Sequence, residues 1–322
     1  MAQRILFAGA AEIATPCFRA LARRGDLVGL LTSPDSPQGR GLRLTPSALA
    51  LEAAELDPNL PVLKPEHLLG PEREAVAALK PDLLVSFSYG KIFGPKFLAL
   101  FPLGGLNIHP SLLPKYRGCS PIQSAILNQE PETGLTVQRL ALKMDEGDIL
   151  AQEKICLSPT ITAGELSSWA AECGARLLTR VLDEIEAGTE KGIPQNGAEA
   201  TYTRLFTKND GEIDWLAPAA AISAQIRAFN PWPEAYTSWK GLRLSLTGAT
   251  LCPSEYAISG VDIGQALPGQ VLGIDKKQGI LVQTGKGLLA LTRLKLEKKK
   301  ELAYMDFLNG SRDFIGSRLG NA

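Results

Sequence analysis

Arg4-Ile-Leu-Phe-Ala-Gly9, followed by Ala10 to Arg24 and then by Leu27-Val-Gly-Leu-Leu-Thr32, decides the fold. Arg4 to Ala8 is a short apolar run stopped by a glycine. Ile13, Phe18, Leu21 and Ala22 then mark one face of a helix that Gly25 closes. Leu27 to Thr32 is a second apolar run, so the text reads strand, turn, helix, strand. The same alternation recurs at Pro61 to Leu63, Leu83 to Phe87 and Gly105 to Ile108. Strands alternating with helices predict an α/β, Rossmann-like open and mainly parallel sheet, which binds ligands at the carboxyl ends of its strands. Between the second strand and the next helix, Pro34 to Pro46 carries too much Pro and Gly for a regular element. It is expected as an exposed loop bearing Arg40 and Arg43.

Beyond Asn107, Leu135 to Leu142 and Ile149 to Leu157 read as two strands joined by a turn, Lys143-Met-Asp-Glu-Gly-Asp148, that contains Asp145. Thr162-Ala-Gly-Glu165 is a capping-box pattern. Leu166, Trp169, Cys173, Leu177, Val181 and Ile185 then continue at helical spacing until Gly188. The following stretch is polar and without periodicity, so the expected organisation is a first domain over 1–189, a linker over 190–208 and a second domain over 209–322. In that last part Leu242 to Leu246, Gly269 to Ile274, Gly279 to Gln283 and Leu288 to Lys295 are strand candidates separated by Gly and Pro. They predict a small OB-like β-barrel.

At 322 residues, two domains are the natural expectation, and 34 basic residues balance 34 acidic ones. The whole molecule therefore exerts no general attraction on nucleic acid, and an anionic partner must meet a local patch. From 209 to 322 there are 13 basic and 11 acidic residues, and Arg293, Lys295, Lys298, Lys299 and Lys300 are gathered in one stretch. The five cysteines are scattered without a CxxC pair, so they are expected as reduced, buried thiols. No window approaches the length of a membrane span, and the apolar run after Met1 is too short for a signal peptide. A cytoplasmic monomer is expected.

There are two histidines. His67, in Lys64-Pro-Glu-His-Leu, reads as a surface residue. His109 ends the apolar run Gly105-Leu-Asn-Ile-His109, and its i, i+2 relation to Asn107 puts an amide and an imidazole on one face at the strand's carboxyl end. Two readings stand at this point: a catalytic pair, or polar groups that satisfy the backbone where the strand stops. The next residues, Pro110-Ser-Leu-Leu-Pro-Lys-Tyr-Arg-Gly-Cys-Ser-Pro-Ile122, hold an irregular backbone beside that pair.

With those residues the chain resembles the folate-dependent formyltransferases, whose hallmark is Asn-x-His followed by Ser-Leu-Leu-Pro and a later Asp-x-Gly-Asp loop. The matching positions are Asn107, His109, Ser111-Leu112-Leu113-Pro114 and Asp145 within Asp145-Glu-Gly-Asp148. The resemblance implies formyl transfer from 10-formyltetrahydrofolate to an amine, with no metal. A tetrahedral centre bearing an oxyanion needs a donor, which Asn107 can supply at a value of about 3 to 4 kcal/mol. The amine must lose a proton and the folate nitrogen gain one, a task within reach of His109 near neutral pH. By the resemblance, Asp145 orients or stabilises the imidazole; Asp148 is its competitor for that role. The resemblance also implies folate contacts at Phe87, Ser88, Tyr89, Gly90, Leu142 and the Ser111 to Pro114 segment, although Phe87 and Tyr89 fit ordinary packing equally well.

The formyl acceptor is read from the rest of the chain. Asn107 to Tyr116 also looks like the enzymes that formylate glycinamide ribonucleotide, and other relatives formylate amino sugar nucleotides. Arg117-Gly-Cys-Ser-Pro-Ile122 follows the pattern of the methionyl-tRNA enzymes, with Cys119 and Ser120 in place of two alanines. Asp214-Trp215, Ile226-Arg-Ala-Phe-Asn-Pro-Trp-Pro233 and Asp306 to Arg312 resemble their appended domain. Initiator methionyl-tRNA is thus the implied partner, with Arg40, Arg43, Lys298, Lys299 and Lys300 as candidate contacts to it. Composition alone would make those side chains merely solvated. A dinucleotide-dependent dehydrogenase fits poorly, because Phe7-Ala-Gly-Ala-Ala-Glu-Ile13 has one glycine where close pyrophosphate approach needs GxGxxG.

Overall fold

In the computed structural model, which describes residues 3–38, 43–253 and 265–320, the first apolar runs form the centre of a seven-stranded sheet. Its strands are β1 (Ile5–Ala8), β2 (Leu27–Leu31), β3 (Val62–Leu63), β4 (Leu83–Ser86), β5 (Gly105–His109), β6 (Glu132–Arg139) and β7 (Ile149–Cys156). Their spatial order is β7-β6-β5-β4-β1-β2-β3. The pairs from β5 through β3 are parallel; β6 and β7 extend the sheet antiparallel. After β3 the chain returns across β1 to lay down β4, so the strand order reverses between β1 and β4. A crevice opens at the carboxyl ends of strands where this happens.

Apolar residues alternate to both faces, and each face is covered. One core gathers Ile5, Phe7 and Val85 with Phe18 and Leu21 of α1 (Thr15–Arg24), Leu49 and Ala53 of α2 (Ala48–Leu56) and Leu177 and Val181 of the long helix Ala163–Ala187. The opposite core gathers Leu6, Ala8 and Leu84 with Val76 and an aromatic series, Tyr89, Phe93, Phe97 and Phe101. Glycine is required where β1 turns: a Cβ on Gly9 would lie 2.7 Å from the Phe87 carbonyl oxygen. The capping box predicted at Thr162 is present, Thr162 Oγ1 accepting from Glu165 N (3.2 Å) and Glu165 Oε2 accepting from Thr162 N (2.8 Å).

The segment from Pro34 to Pro46 differs from expectation. Ser36–Gln38 and Arg43–Thr45 pair antiparallel, and Pro37 is tolerated because a two-stranded ladder consists only of edges. Arg43 is exposed there, whereas Gly39, Arg40 and Gly41 lie outside the described residues.

The described residues form two compact units. One comprises 1–121, 132–156 and 166–204; the other comprises 122–131, 157–165 and 205–322. Residues 157–165 join the second because Gly164 N donates to Asn230 O (3.0 Å) and the Arg227 guanidinium to Ile161 O (3.2 Å). The stretch predicted as a linker is bonded into the first unit over much of its length. Ile193 bridges Ile149, and Tyr202–Thr203 pairs in parallel with Arg117–Gly118.

The second unit carries the predicted β-domain as a six-stranded sheet whose strands all pair antiparallel. Along it run Ala235–Trp239, Leu242–Leu251, Leu288–Leu296, Gly279–Gln283 and Val271–Asp275, with Leu302–Ala303 beside Leu288–Leu296. Ala235–Trp239 was hidden in the sequence by the prolines just before it. Its core contains Trp215, Ile222, Leu244, Val271, Leu291 and Phe314. Among the described residues no helix is long and apolar enough to cross a membrane.

Candidate active site

The site begins with the pleat of β5. Leu106 and Ile108 enter the core, and the alternate residues Asn107 and His109 leave from the other face. On the neighbouring β6, Gln138 stands opposite Asn107 and Thr136 opposite His109. One face at this end of the sheet is therefore polar across two strands. Thr136 secures the loop that follows β5: its hydroxyl donates to Ser111 O (2.7 Å) and accepts from Leu113 N (3.2 Å). Ser111 and Leu113 are buried, Leu112 and Pro114 half-buried, and the Leu113–Pro114 peptide is cis.

Asp145 reaches this face from the turn between β6 and β7. Its Oδ1 accepts from Asn107 Nδ2 (3.2 Å) and Gln138 Nε2 (2.9 Å), and its Oδ2 accepts from Gly118 N (2.8 Å) and faces His109 Nδ1 at 3.6 Å. The other ring nitrogen of His109, Nε2, is 2.8 Å from the Tyr116 carbonyl oxygen. That oxygen can only accept, so Nε2 carries a hydrogen and Nδ1 is the nitrogen turned to the carboxylate. Asn107, His109 and Asp145 thus come together. Asp148, the competing acid, is exposed and lies against Gly192 instead.

The turn has a demanding backbone. Asp145 has φ 55°, a left-handed conformation that costs a non-glycine residue roughly 1 kcal/mol or more. Two residues on, a Cβ at Gly147 would stand 1.7 Å from the Arg139 carbonyl oxygen, so only glycine passes there. Gly147→Ala is expected to destabilise the protein by about 1 to 3 kcal/mol through overpacking against backbone. A urea denaturation midpoint equal to that of the unsubstituted protein would show that the turn has room to shift.

Several groups here had no clear signal in the sequence. Gln138 could have been found only by knowing the β5–β6 register. Gln195, in the polar stretch after the long helix, donates to Asp145 O (2.8 Å) and Gly147 O (2.7 Å) and accepts from Arg117. Thr201 pins the loop after His109, its hydroxyl accepting from Tyr116 N (2.8 Å) and its carbonyl from Arg117 N (2.8 Å).

The predicted folate residues are distributed unevenly. Ser88 and Gly90 are exposed at the carboxyl end of β4, both with positive φ, beside the strand-order reversal. Phe87 is fully enclosed, its side chain in the core and its N–H bonded to Ala8 O (2.9 Å), so it offers no surface to a ligand. Tyr89 is also buried, stacked on Phe93 at 5.4 Å, and burial pushes its phenol up to about 12. Leu142 is 63% exposed. Lys298, Lys299 and Lys300 are exposed in the turn after Leu288–Leu296 of the second unit. His67 is exposed. Of the cysteines, all free, Cys17 and Cys173 are buried, whereas Cys119 and Cys156 are exposed, against the expectation that all are enclosed. Among the described residues no group of three or more His, Cys, Asp or Glu side chains could hold a metal ion.

Comparison with known proteins agrees over both units. The family model described as formyl transferase matches residues 4–182, and that of the formyl transferase C-terminal domain matches 205–312. The methionyl-tRNA formyltransferase of Treponema denticola is 45% identical over 97% of this chain and 98% of its own length. That of Chloroflexus aggregans is 40% identical over 95% and 97%. Two solved structures share the fold. HypX from Aquifex aeolicus in complex with tetrahydrofolic acid superposes with a TM-score of 0.64 at 19% identity, over 98% of this chain and 48% of its own. The N-formyltransferase of Helicobacter canadensis, complexed with folinic acid and dTDP-3-aminofucose, also gives 0.64, at 20% identity over 90% and 99%. By these matches the chain belongs to the formyl transferase family, among full-length relatives that carry the name methionyl-tRNA formyltransferase.

Proposed function

We propose that this protein transfers the formyl group of 10-formyltetrahydrofolate to the free amino group of initiator methionyl-tRNA. The observation that carries the chemistry is the meeting of an amide, an imidazole and a carboxylate at Asn107, His109 and Asp145. The choice of acceptor rests on the relatives, which are similar along 95 to 97% of the chain, second unit included. In this reading the protein works in the cytoplasm as a monomer.

Attack of the amine on the formyl carbon makes a C–N bond and places negative charge on the formyl oxygen. One N–H of the Asn107 amide is engaged by Asp145, which leaves the second for that oxygen. The amine's proton goes to His109 Nδ1, and the imidazolium so formed faces the Asp145 carboxylate. The same proton then passes to the folate nitrogen as its bond to the formyl carbon breaks, so the pair ends as it began. Folate would lie against the exposed backbone at Ser88 and Gly90, with Leu142 offering apolar surface. Arg40, Arg43 and Lys298 to Lys300 would neutralise tRNA phosphates, a contribution that added salt weakens.

Offering methionyl-tRNA, glycinamide ribonucleotide and an amino sugar nucleotide separately, each with 10-formyltetrahydrofolate, tests the reading. Release of tetrahydrofolate should depend on methionyl-tRNA. Turnover with either of the other acceptors, and not with the tRNA, would replace it.

A further inference from the structure

We infer that Gln195 is a positioning residue for the Asp145 turn, set in its orientation by the buried guanidinium of Arg117; this rests on the formyl-transfer reading above. Arg117 is 3% exposed and has only donors to offer. Its Nε and Nη2 lie 3.2 and 2.9 Å from Gln195 Oε1, and its Nη1 donates to Glu146 Oε1 (3.0 Å) and Tyr202 Oη (2.9 Å). The Gln195 amide therefore cannot be turned over: its oxygen must face Arg117 and its NH₂ must face away.

On that side it meets three acceptors, Asp145 O at 2.8 Å, Gly147 O at 2.7 Å and Gln138 Oε1 at 3.2 Å. The last contact orients a second amide. With its oxygen turned to Gln195, Gln138 presents Nε2 to Asp145 Oδ1 at 2.9 Å. A donor-only group at one end thus sets the direction of two amides in series, and the series ends on the carboxylate that faces His109. The two backbone bonds hold the carbonyls on either side of Glu146, where the left-handed Asp145 needs support.

Gln195→Glu separates this role from simple packing. The shape is kept and Arg117 keeps an acceptor, but the NH₂ is replaced by an oxygen facing three oxygens. Gln195→Met, neutral and of similar length, is measured beside it. For both, kcat for methionyl-tRNA formylation should fall about tenfold or more, as displacement of a reacting group by a fraction of an ångström requires. KM for folate and for tRNA should stay within about threefold, since the groups that touch them are unaltered. Asn196→Ala, which disturbs the same exposed strap but caps only Ala198 and bonds Glu199, should leave kcat unchanged.

Wild-type kcat in either folded Gln195 variant would overturn the inference. So would a loss that disappears when rates are normalised to folded protein, or one confined to KM. An unsubstituted protein that formylates methionyl-tRNA while the Gln195 variants match it leaves the proposed function standing and removes only the role of Gln195. An unsubstituted protein inactive on every acceptor removes both.

Discussion

His109→Ala is expected to lower formyl transfer by about a hundred- to ten-thousandfold while the protein stays folded. The ring is buried at the end of β5, yet its contacts are polar: Tyr116 O on one nitrogen and the Asp145 carboxylate opposite the other. In the proposed reaction, removing it deletes the group that receives the amine's proton and returns it to the leaving nitrogen. It also leaves the Tyr116 carbonyl without its partner from the ring, a loss of about 1 to 3 kcal/mol in stability. Single-turnover rates at saturating folate and tRNA, read with the urea midpoint, separate the two effects. Near-normal turnover would take the imidazole out of the reaction.

Asp145→Asn should be more damaging than its single-atom change suggests. Both carboxylate oxygens are approached by donors, Oδ1 by Asn107 and Gln138 and Oδ2 by the Gly118 amide. Whichever way the new amide is turned, its NH₂ meets an N–H, so a buried donor loses its acceptor and the turn shifts. The negative charge opposite His109 is lost as well. Loss of the carboxylate beside a catalytic histidine can lower kcat by up to about ten-thousandfold, and a drop of that order is expected here. Folate binding should survive, as measured by equilibrium titration, because the proposed folate contacts at Ser88 and Gly90 are untouched. A variant with kcat within about tenfold of the original would show that Asp145 only shapes its turn.

How much of this was legible in the sequence depends on range. Asn107 and His109 could be paired from spacing alone, because a strand returns every second residue to the same face. The sheet followed from the apolar runs because each is short, stopped by Gly or Pro and separated by helical spacing. Gln138 could not be found this way: what brings it to Asp145 is its register opposite Asn107, a contact between residues 31 apart in the chain. Ala235–Trp239 was masked by Pro231 and Pro233, which mark the corner before the strand and not the strand itself. Gln195 was concealed for a different reason. A polar stretch without periodicity reads as a solvated connection, yet hydrogen bonding to another loop has no periodicity to display.

The strap from Ile193 to Thr203 has a practical consequence for anyone dividing this protein. A fragment truncated after the long helix, where the composition changes, would keep Asn107, His109 and Asp145. It would forfeit the threonine that tethers the loop beyond β5 and the amide that braces the acidic turn. A fragment meant to keep the site should therefore extend to about residue 204, the last residue of the first unit, and a shorter one would hold the proposed reactive groups without the means to aim them.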